Sequence, residues 1–389
     1  MIPRILAAAV QSACTYYPIV SLTGPRQSGK TTLLQNMFPA YKYVNFEEPD
    51  TRRFFEEDPR GFLRLYDRQV IFDEAQRVPD LFPYLQAKTD ADRIMGQYVL
   101  SGSQNFLLLA KITQSLAGRV GLFRLLPLSQ AELAGAVRDL RPRAVHDAIF
   151  RGAYPALYDR PLPTGRFFQD YMETYVERDA RNVLNIKDLG AFQNFIRLCA
   201  GRVGQPINLQ SLGVDAGIAT ATVKSWLSIL EASFVLFQLQ PFFENFNKRL
   251  VKSPKLYFYD TGLLCYLLGL NDAEQVPQYY QRGSLFENFV VLEILKNRIN
   301  ADRQTSLYFW QDSHKVEVDL VELDGLETHL YEMKYSYTPS AEFFKGIQSF
   351  RATAPPARQK GKNYVFYAGE ETQPRTLATV ESWWKLPGI

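Results

Sequence analysis

The amino-acid sequence predicts a multidomain α/β protein: a parallel sheet flanked by helices, then a mainly helical middle region, then a second α/β domain. Three observations support this prediction. The chain has 389 residues, too many for one hydrophobic core, so we expect about two or three domains. In the N-terminal third, short apolar segments alternate with segments typical of helices, which is the order of a parallel sheet. In the C-terminal third, a long periodic helix precedes three strand-like segments, a helix and another strand.

The composition is that of a globular protein. Apolar residues make up 46% and charged residues 22% of the chain, and the net charge is only +3. Any surface that binds nucleic acid would therefore be a local patch. The three cysteines and three histidines are widely separated, which argues against a disulfide framework and against a metal site built from these residues. No apolar segment reaches the roughly 20 residues of a membrane helix, and we expect a cytoplasmic protein without membrane contact.

The first chemical motif lies between a strand-like segment at 19–23 and a helix-like segment at 32–38. Its residues read G-P-R-Q-S-G-K-T, which is the pattern of a phosphate-binding loop in its required strand-to-helix context. Glycines let the backbone approach phosphate closely, and N–H groups at the helix N-terminus supply partial positive charge. Lys30 is expected to reach the β- and γ-phosphates of ATP, and the Thr31 hydroxyl to bind Mg²⁺. The predicted nucleotide-binding residues are Gly24, Pro25, Arg26, Gln27, Ser28, Gly29, Lys30, Thr31 and Thr32.

The second motif is an apolar segment, Q-V-I-F, that ends in two adjacent carboxylates, Asp73 and Glu74. In a parallel sheet the carboxyl end of a buried strand faces the ligand. Asp73 is expected to hold the Mg²⁺, directly or through a water molecule. Glu74 is placed to polarise the attacking water, as a general base does. The pair predicts hydrolysis of the nucleotide as well as binding.

A third strand-like segment, Q-Y-V-L-S-G-S, ends in small polar residues. In P-loop ATPases the matching strand carries a polar sensor of the γ-phosphate. Ser103 is our first candidate for this role and Gln104 the second, with a simple strand-to-helix turn as the alternative. Two more strand-like segments, at 41–46 and 120–126, complete a five-stranded parallel sheet. Arg119 is a candidate for stabilising phosphate charge, in cis or from a neighbouring subunit, and an ordinary surface arginine is the alternative.

Together these segments resemble a prokaryotic family of AAA-type ATPases. The resemblance rests on G-P-R-Q-S-G-K-T-T, I-F-D-E-A-Q-R-V-P, L-S-G-S-Q, S-L-A-G-R-V and P-L-S-Q-A-E-L, and it extends over nearly the whole chain. It implies an ATPase domain, a region that bridges to the next module, and a C-terminal domain of unknown function.

The middle of the chain has the element order of a winged helix-turn-helix. Three helical patterns, near 191–198, 208–214 and 219–230, are followed by a β-rich stretch from 234 to 259. Cations outnumber anions in this region, so contact with DNA phosphates is one prediction. A protein-binding or intramolecular contact is the alternative. The candidate DNA-contacting residues are Lys224 on the third helix and Lys248, Arg249, Lys252 and Lys255 in the wing.

The C-terminal third resembles the PD-(D/E)XK restriction-endonuclease-like fold in its order of elements. Asp319 lies on the second predicted strand. Glu332 and Lys334 are two residues apart on the third, so both side chains project from one face. Two carboxylates can chelate a hard divalent cation, and a lysine can orient water or offset charge on a phosphodiester. Glu287, on the preceding helix, is a candidate additional ligand or orienting group.

The sequence leaves functions of different classes open. The first hypothesis is an ATPase whose nucleotide state controls a DNA-engaging C-terminal half, with or without nuclease activity. The second is a nucleotide-dependent switch or scaffold that binds a protein partner and carries a vestigial nuclease-like site, because a fold can outlive its activity. An oligomeric, ring-forming remodelling ATPase is the third. The predicted regions are an AAA-type P-loop ATPase domain at 1–128, a helical linker or lid at 129–190, a winged helix-turn-helix at 191–272 and a PD-(D/E)XK nuclease-like domain at 273–389.

Overall fold

The chain divides into two compact units in a computed structural model that describes residues 2–102, 116–176, 186, 188–242 and 253–388. The first unit is Met1–Leu128 with Ala232–Phe234 and Ile299–Arg303. The second is Ser129–Glu231, Val235–Arg298 and Gln304–Ile389. Across the described ranges, no helix is both long enough and apolar enough to cross a membrane.

The first unit is built on a parallel sheet. Its described strands are β1 (Ile19–Thr23), β2 (Lys42–Asn45), β3 (Val70–Asp73), β4 (Tyr98–Gly102) and β5 (Val120–Arg124). All neighbouring strands run parallel, in the order β2-β3-β4-β1-β5. The helices are α1 (Ala7–Ala13), α2 (Lys30–Met37), α3 (Pro49–Glu57), α4 (Pro59–Leu65) and α5 (Leu81–Asp92), with a 3-10 turn at Ala75–Arg77. The prediction of a parallel sheet flanked by helices is confirmed.

Separate hydrophobic clusters bury the two faces of this sheet. Side chains alternate along a strand, so Ile19 packs in one cluster with Phe46 and Phe72, while Val20 packs in the other with Leu33. Every residue of β1 and of β4 is buried, as expected for the central strands of a sheet that is covered on both sides. The carboxyl ends of these strands are therefore held in fixed positions at one edge of the sheet.

The second unit contains a mixed sheet. Its described strands are β6 (Leu236–Pro241), β7 (Lys255–Phe258), β8 (Leu307–Gln311), β9 (Glu317–Asp324), β10 (Glu327–Lys334), β11 (Asn363–Tyr367), β12 (Gln373–Pro374) and β13 (Thr379–Ser382). Within the described residues they form one eight-stranded sheet in the order β12-β13-β11-β10-β9-β8-β6-β7. The helices of this unit are α6 (Gln130–Ala134), α7 (Val145–Arg151), α8 (Ala156–Asp159), α9 (Thr164–Tyr171), α10 (Leu189–Ala200), α11 (Leu209–Ala216), α12 (Thr220–Ala232), α13 (Thr261–Leu267), α14 (Arg282–Asn300) and α15 (Lys345–Thr353). Shorter helical turns lie at Met172–Val176, Ala273–Gln275, Ala341–Phe344, Pro356–Arg358 and Trp383–Gly388.

The three helices α10, α11 and α12 are followed by the hairpin of β6 and β7. Asn208 caps α11 by accepting hydrogen bonds from two backbone N–H groups, and Gly217 ends it in the left-handed conformation, so the chain turns into α12. The hairpin, however, is not a free wing. β6 also pairs in parallel with β8, because an open strand edge is stabilised by a partner. The predicted boundary between 272 and 273 therefore separates strands that share one sheet.

The C-terminal elements α14, β8, β9, β10, α15 and β11 follow one another in that order. β9 is antiparallel to β8 and β10, and β11 is parallel to β10. The apolar face of α15, with Ile347 and Phe350, packs on Val318, Val321 and Leu330 of the sheet. This packing fixes the strands that carry Asp319, Glu332 and Lys334.

Candidate functional site

The loop between β1 and α2 has the backbone conformation that its glycines predict. Gly29, immediately before α2, has φ +92° and ψ +19°, and Gly24 has φ +152°. Lys30 begins the helix and is buried, and its Nζ donates hydrogen bonds to the carbonyl oxygens of Gly24 (2.9 Å) and Pro25 (2.8 Å). The lysine thus reaches back over the loop, so a phosphate held by the loop would lie close to its ammonium group.

An arginine far from the motif also holds this loop. The Arg4 guanidinium donates to the carbonyl oxygen of Ser28 (2.7 Å) and to that of Leu126 (2.5 Å). It therefore ties the loop to the segment that follows β5. Sequence reasoning missed Arg4 because it lies outside the motif.

Asp73 is the acceptor around which the nucleotide-site residues gather. Its Oδ2 accepts hydrogen bonds from Thr31 Oγ1 (2.8 Å) and from the Tyr43 hydroxyl (2.7 Å). Its Oδ1 accepts from the Ser101 hydroxyl and from the backbone N–H of Glu74 (3.0 Å). Thr31 and Asp73 are thus in contact, and together they offer the hydroxyl and carboxylate oxygens that Mg²⁺ prefers. Tyr43 and Ser101 were missed, although both lie on strands that flank β3.

Glu74 follows Asp73 in an unusual backbone conformation. Its φ of +54° and ψ of +39° are in the left-handed region, which is uncommon for residues other than glycine and is often found at functional sites. The Gln76 side chain donates a hydrogen bond from Nε2 to Glu74 Oε2 (2.5 Å), and Gln76 is itself buried. The carboxylate of Glu74 is therefore held in a defined place beside Asp73. Gln76 is a further residue that the motif did not reveal.

Three candidate residues of the nucleotide site remain: Ser103, Gln104 and Arg119. Ser103 and Gln104 lie outside the described residues. The Arg119 guanidinium forms a bidentate ion pair with the Asp90 carboxylate, from Nε to Oδ1 (2.5 Å) and from Nη2 to Oδ2 (2.8 Å). The hydrogen bond from Arg119 lowers the pKa of the Asp90 carboxyl. Arg119 is thus ion-paired with Asp90 in this structure, and its role toward phosphate stays a prediction.

The structure brings the predicted C-terminal residues together. Asp319 on β9 faces Lys334 on β10, with Nζ to Oδ2 at 3.2 Å, and Lys334 Nζ also contacts Glu332 Oε2 at 2.6 Å. The backbone N–H of Met333 donates to Asp319 Oδ2 (2.7 Å). Burial opposes ionisation of Asp319, but Lys334 and Lys255 together hold its pKa below the usual value. Burial raises the pKa of Glu332.

Glu287 on α14 and Glu317 on β9 complete this carboxylate cluster. Oxygen atoms of Glu287, Glu317 and Asp319 all lie within 4.8 Å of one another. The Tyr257 hydroxyl donates to Glu287 Oε1 (2.5 Å), and Gln311 Nε2 donates to Glu317 Oε2 (3.1 Å). Burial raises the pKa of Glu317 to about 7, against the opposing effect of Lys255. Sequence reasoning missed Glu317, although its spacing of two residues from Asp319 places both on one face of β9.

One of the predicted DNA-contacting residues, Lys255, does not lie on an exposed surface. It is only 2% exposed, and its Nζ contacts Glu287 Oε1 (3.1 Å) and Glu317 Oε1. A buried ammonium in an ion pair cannot contact phosphate from an exposed wing, so its prediction as a DNA contact is wrong. Lys224 is exposed on α12, while Lys248, Arg249 and Lys252 lie outside the described residues.

A glycine-rich loop between strand and helix, a threonine–aspartate pair and a parallel sheet define the first unit as a P-loop nucleotide-binding domain. Comparison with known proteins agrees. A family model described as an AAA domain matches residues 16–134, and two models described as domains of unknown function, DUF8612 and DUF4143, match residues 142–274 and 282–386.

The chain is 34% identical over 349 residues to the uncharacterized proteins Mb2031c of Mycobacterium bovis and Rv2008c of Mycobacterium tuberculosis, covering 87% of this chain and 75% of each relative. It belongs to the same family as these proteins, and its first unit carries an AAA-type P-loop domain.

Several solved structures show a weaker similarity to this chain. The Walker-type ATPase PABY2304 of Pyrococcus abyssi has 14% identity and a TM-score of 0.41, covering 67% of this chain and 94% of that one. AMPPCP-bound DnaA from Aquifex aeolicus has 12% identity and a TM-score of 0.31, covering 58% and 86% of the two chains. A variant of RuvB from Thermotoga maritima has 17% identity and a TM-score of 0.30, covering 60% and 87%.

Proposed function

We propose that the chain binds ATP with Mg²⁺ and hydrolyses it. The observation that carries this proposal is the Asp73 carboxylate, which accepts a hydrogen bond from Thr31 of the loop and lies next to Glu74. Thr31 and Asp73 would hold the Mg²⁺, whose charge offsets that of the phosphate oxygens. Their hydroxyl and carboxylate oxygens suit this hard cation.

The chain's own groups supply the remaining chemistry. The N–H groups at the start of α2 face the loop and favour a bound anion. Lys30 exchanges its carbonyl partners, Gly24 and Pro25, for phosphate oxygens, which is a change from neutral to charged acceptors. Glu74, held by Gln76, accepts the proton of the water that attacks the γ-phosphate.

Lys30→Ala tests nucleotide binding directly. A hydrogen bond to a charged group contributes about 1.5–3 kcal/mol, so the affinity for ATP should fall about 10- to 150-fold. Titration of the full chain with a fluorescent ATP analogue, with and without Mg²⁺, measures this. Lys42→Ala removes an exposed lysine of the same unit and should leave the affinity unchanged. Equal affinities for the Lys30 variant and the wild type would rule out the assigned role of this loop.

We propose a second function for the carboxylate cluster: metal-dependent hydrolysis of a nucleic-acid phosphodiester. The supporting observation is that Lys334 contacts both Asp319 and Glu332 across two strands. Glu287, Glu317 and Asp319 provide carboxylate oxygens close enough to share a divalent cation, and these are the ligands that Mg²⁺ and Mn²⁺ prefer. Such a cation stabilises developing negative charge when bound. Lys334 would orient the attacking water or balance charge on the phosphate.

Cleavage of plasmid DNA in Mg²⁺ or Mn²⁺, with and without ATP, tests this second function. We expect cleavage that is lost on chelation with EDTA and falls about 10²-fold in Lys334→Met. Lys345→Met, which removes an exposed lysine of the same unit, should cleave like the wild type. A dependence on ATP would show that nucleotide state regulates the second unit. Absence of cleavage under all these conditions would instead favour a nucleotide-dependent switch or scaffold for a protein partner.

A further inference from the structure

Lys255 places a positive charge inside the carboxylate cluster of the second unit. It lies on β7, whereas its anionic partners come from other elements: Glu287 from α14 and Glu317 from β9. Its ammonium also lies 5.3 Å from the centre of the Phe309 ring. Because an unpaired buried charge is strongly disfavoured, these carboxylates are what allow the lysine to be buried.

The carboxylates that pair with Lys255 are also members of the candidate metal site. Glu287 and Glu317 supply two of the three oxygens that lie within 4.8 Å of one another, and Asp319 supplies the third. Lys255 contacts the Oε1 atoms of both glutamates. A divalent cation that used these same oxygens would lie close to the ammonium nitrogen, where the two positive charges repel in a poorly screened interior.

The two lysines of the cluster therefore have different relations to a metal. Lys334 pairs with Glu332 on β10 and with Asp319 on β9. Three residues, Glu287, Glu317 and Asp319, form the candidate metal site. Lys334 contacts one of them, Asp319. Lys255 contacts the other two, Glu287 and Glu317. A metal ion bound at Glu287 and Glu317 would therefore be repelled by the Lys255 ammonium.

We propose that Lys255 is an internal competitor of the divalent cation: its ammonium and the metal bind Glu287 and Glu317 in turn. This inference rests on the second function proposed above, since it concerns the regulation of that site. With Lys255 in place, its ammonium offsets part of the negative charge of Glu287 and Glu317 without metal. Metal binding requires the lysine side chain to leave, and a ligand that draws Lys255 away would open the site.

Binding of Mn²⁺ alone to the full-length chain tests this, without nucleotide or DNA and independently of activity. Titration followed by electron paramagnetic resonance compares the wild type with Lys255→Met and Lys255→Arg. We expect Lys255→Met to bind Mn²⁺ at least about tenfold more tightly, because the competing charge is gone. Lys255→Arg keeps the charge and should show no such gain. The Asp73 region is unchanged in all three proteins, so its contribution cancels.

A second measurement uses the wild type and does not depend on the folding of a variant. Lysine acylation read by mass spectrometry should increase at Lys255 when Mn²⁺ is added, while the exposed Lys345 serves as the reference. Unchanged labelling of Lys255, or Mn²⁺ affinity in Lys255→Met no higher than in the wild type, would overturn the proposal. Tight Mn²⁺ binding by Lys255→Met without any DNA cleavage would support competition and remove only the nuclease function.

Discussion

Replacing Glu74 with glutamine is expected to lower kcat for ATP hydrolysis about 10²- to 10⁴-fold, the range for loss of a general base. ATP affinity should change by no more than about twofold, because the amide has the same size and does not alter the phosphate-binding loop. The amide oxygen can still accept the hydrogen bond from Gln76, so the side chain keeps its place. What it loses is the ability to take a proton from water.

Steady-state ATP turnover and equilibrium binding of a fluorescent ATP analogue separate these two effects. Glu56→Gln is a matched control, since Glu56 is an exposed carboxylate of the same unit, and it should behave like the wild type. Wild-type turnover in Glu74→Gln would show that another group accepts the proton. A parallel loss of affinity and turnover would indicate that Glu74 supports nucleotide binding and not the chemical step.

The parts of the nucleotide site that follow local rules could be predicted from the sequence. Glycines at 24 and 29 indicate where the backbone must take positive φ, and both do so. An apolar segment that ends in carboxylates indicates a strand end at the ligand-binding edge, and β3 ends at Asp73. These features depend on a few consecutive residues, so the sequence is enough to locate them.

The supporting residues of this site could not be predicted because they depend on which strands are neighbours. Tyr43 and Ser101 reach Asp73 only because β2 and β4 lie on either side of β3. The sequence predicts these strands but not their order in the sheet. Arg4 acts over an even longer separation, binding Ser28 and Leu126.

The carboxylate cluster of the second unit also combines a contact that the sequence predicts with one that it does not. A spacing of two residues on a strand correctly predicts that Glu332 and Lys334 meet, since alternate side chains share a face. Lys255 was misplaced for the opposite reason. Its neighbours in sequence are cationic and suggest an exposed wing, whereas the pairing of β6 with β8 makes the hairpin part of the sheet. Local charge therefore indicated a surface where tertiary packing created a buried ion pair.

Gly24→Ala is expected to destabilise the first unit by about 2–5 kcal/mol, combining backbone strain with steric overlap. A Cβ atom at this position would lie 2.2 Å from the Leu125 carbonyl oxygen and 3.0 Å from its carbonyl carbon. Leu125 cannot easily retreat, because its N–H donates to the Thr23 carbonyl oxygen (2.8 Å) and Arg4 holds the next carbonyl. Displacement of the loop should also weaken ATP binding by at least about tenfold, since a small misplacement of phosphate-binding groups is costly.

Gly118→Ala separates the two contributions to this loss. Gly118 also has positive φ, at +78°, but a Cβ there would meet no atom of the described residues within 4 Å. It should therefore show the strain alone, about 1 kcal/mol. Hydrogen exchange of the β1 amides measures local stability in both variants without assuming two-state unfolding of a two-unit chain, and β1 pairs with the strand that follows Gly118. Equal losses in the two variants would mean that the loop moves freely away from Leu125, and then the close approach of Gly24 would not fix the position of the phosphate-binding loop.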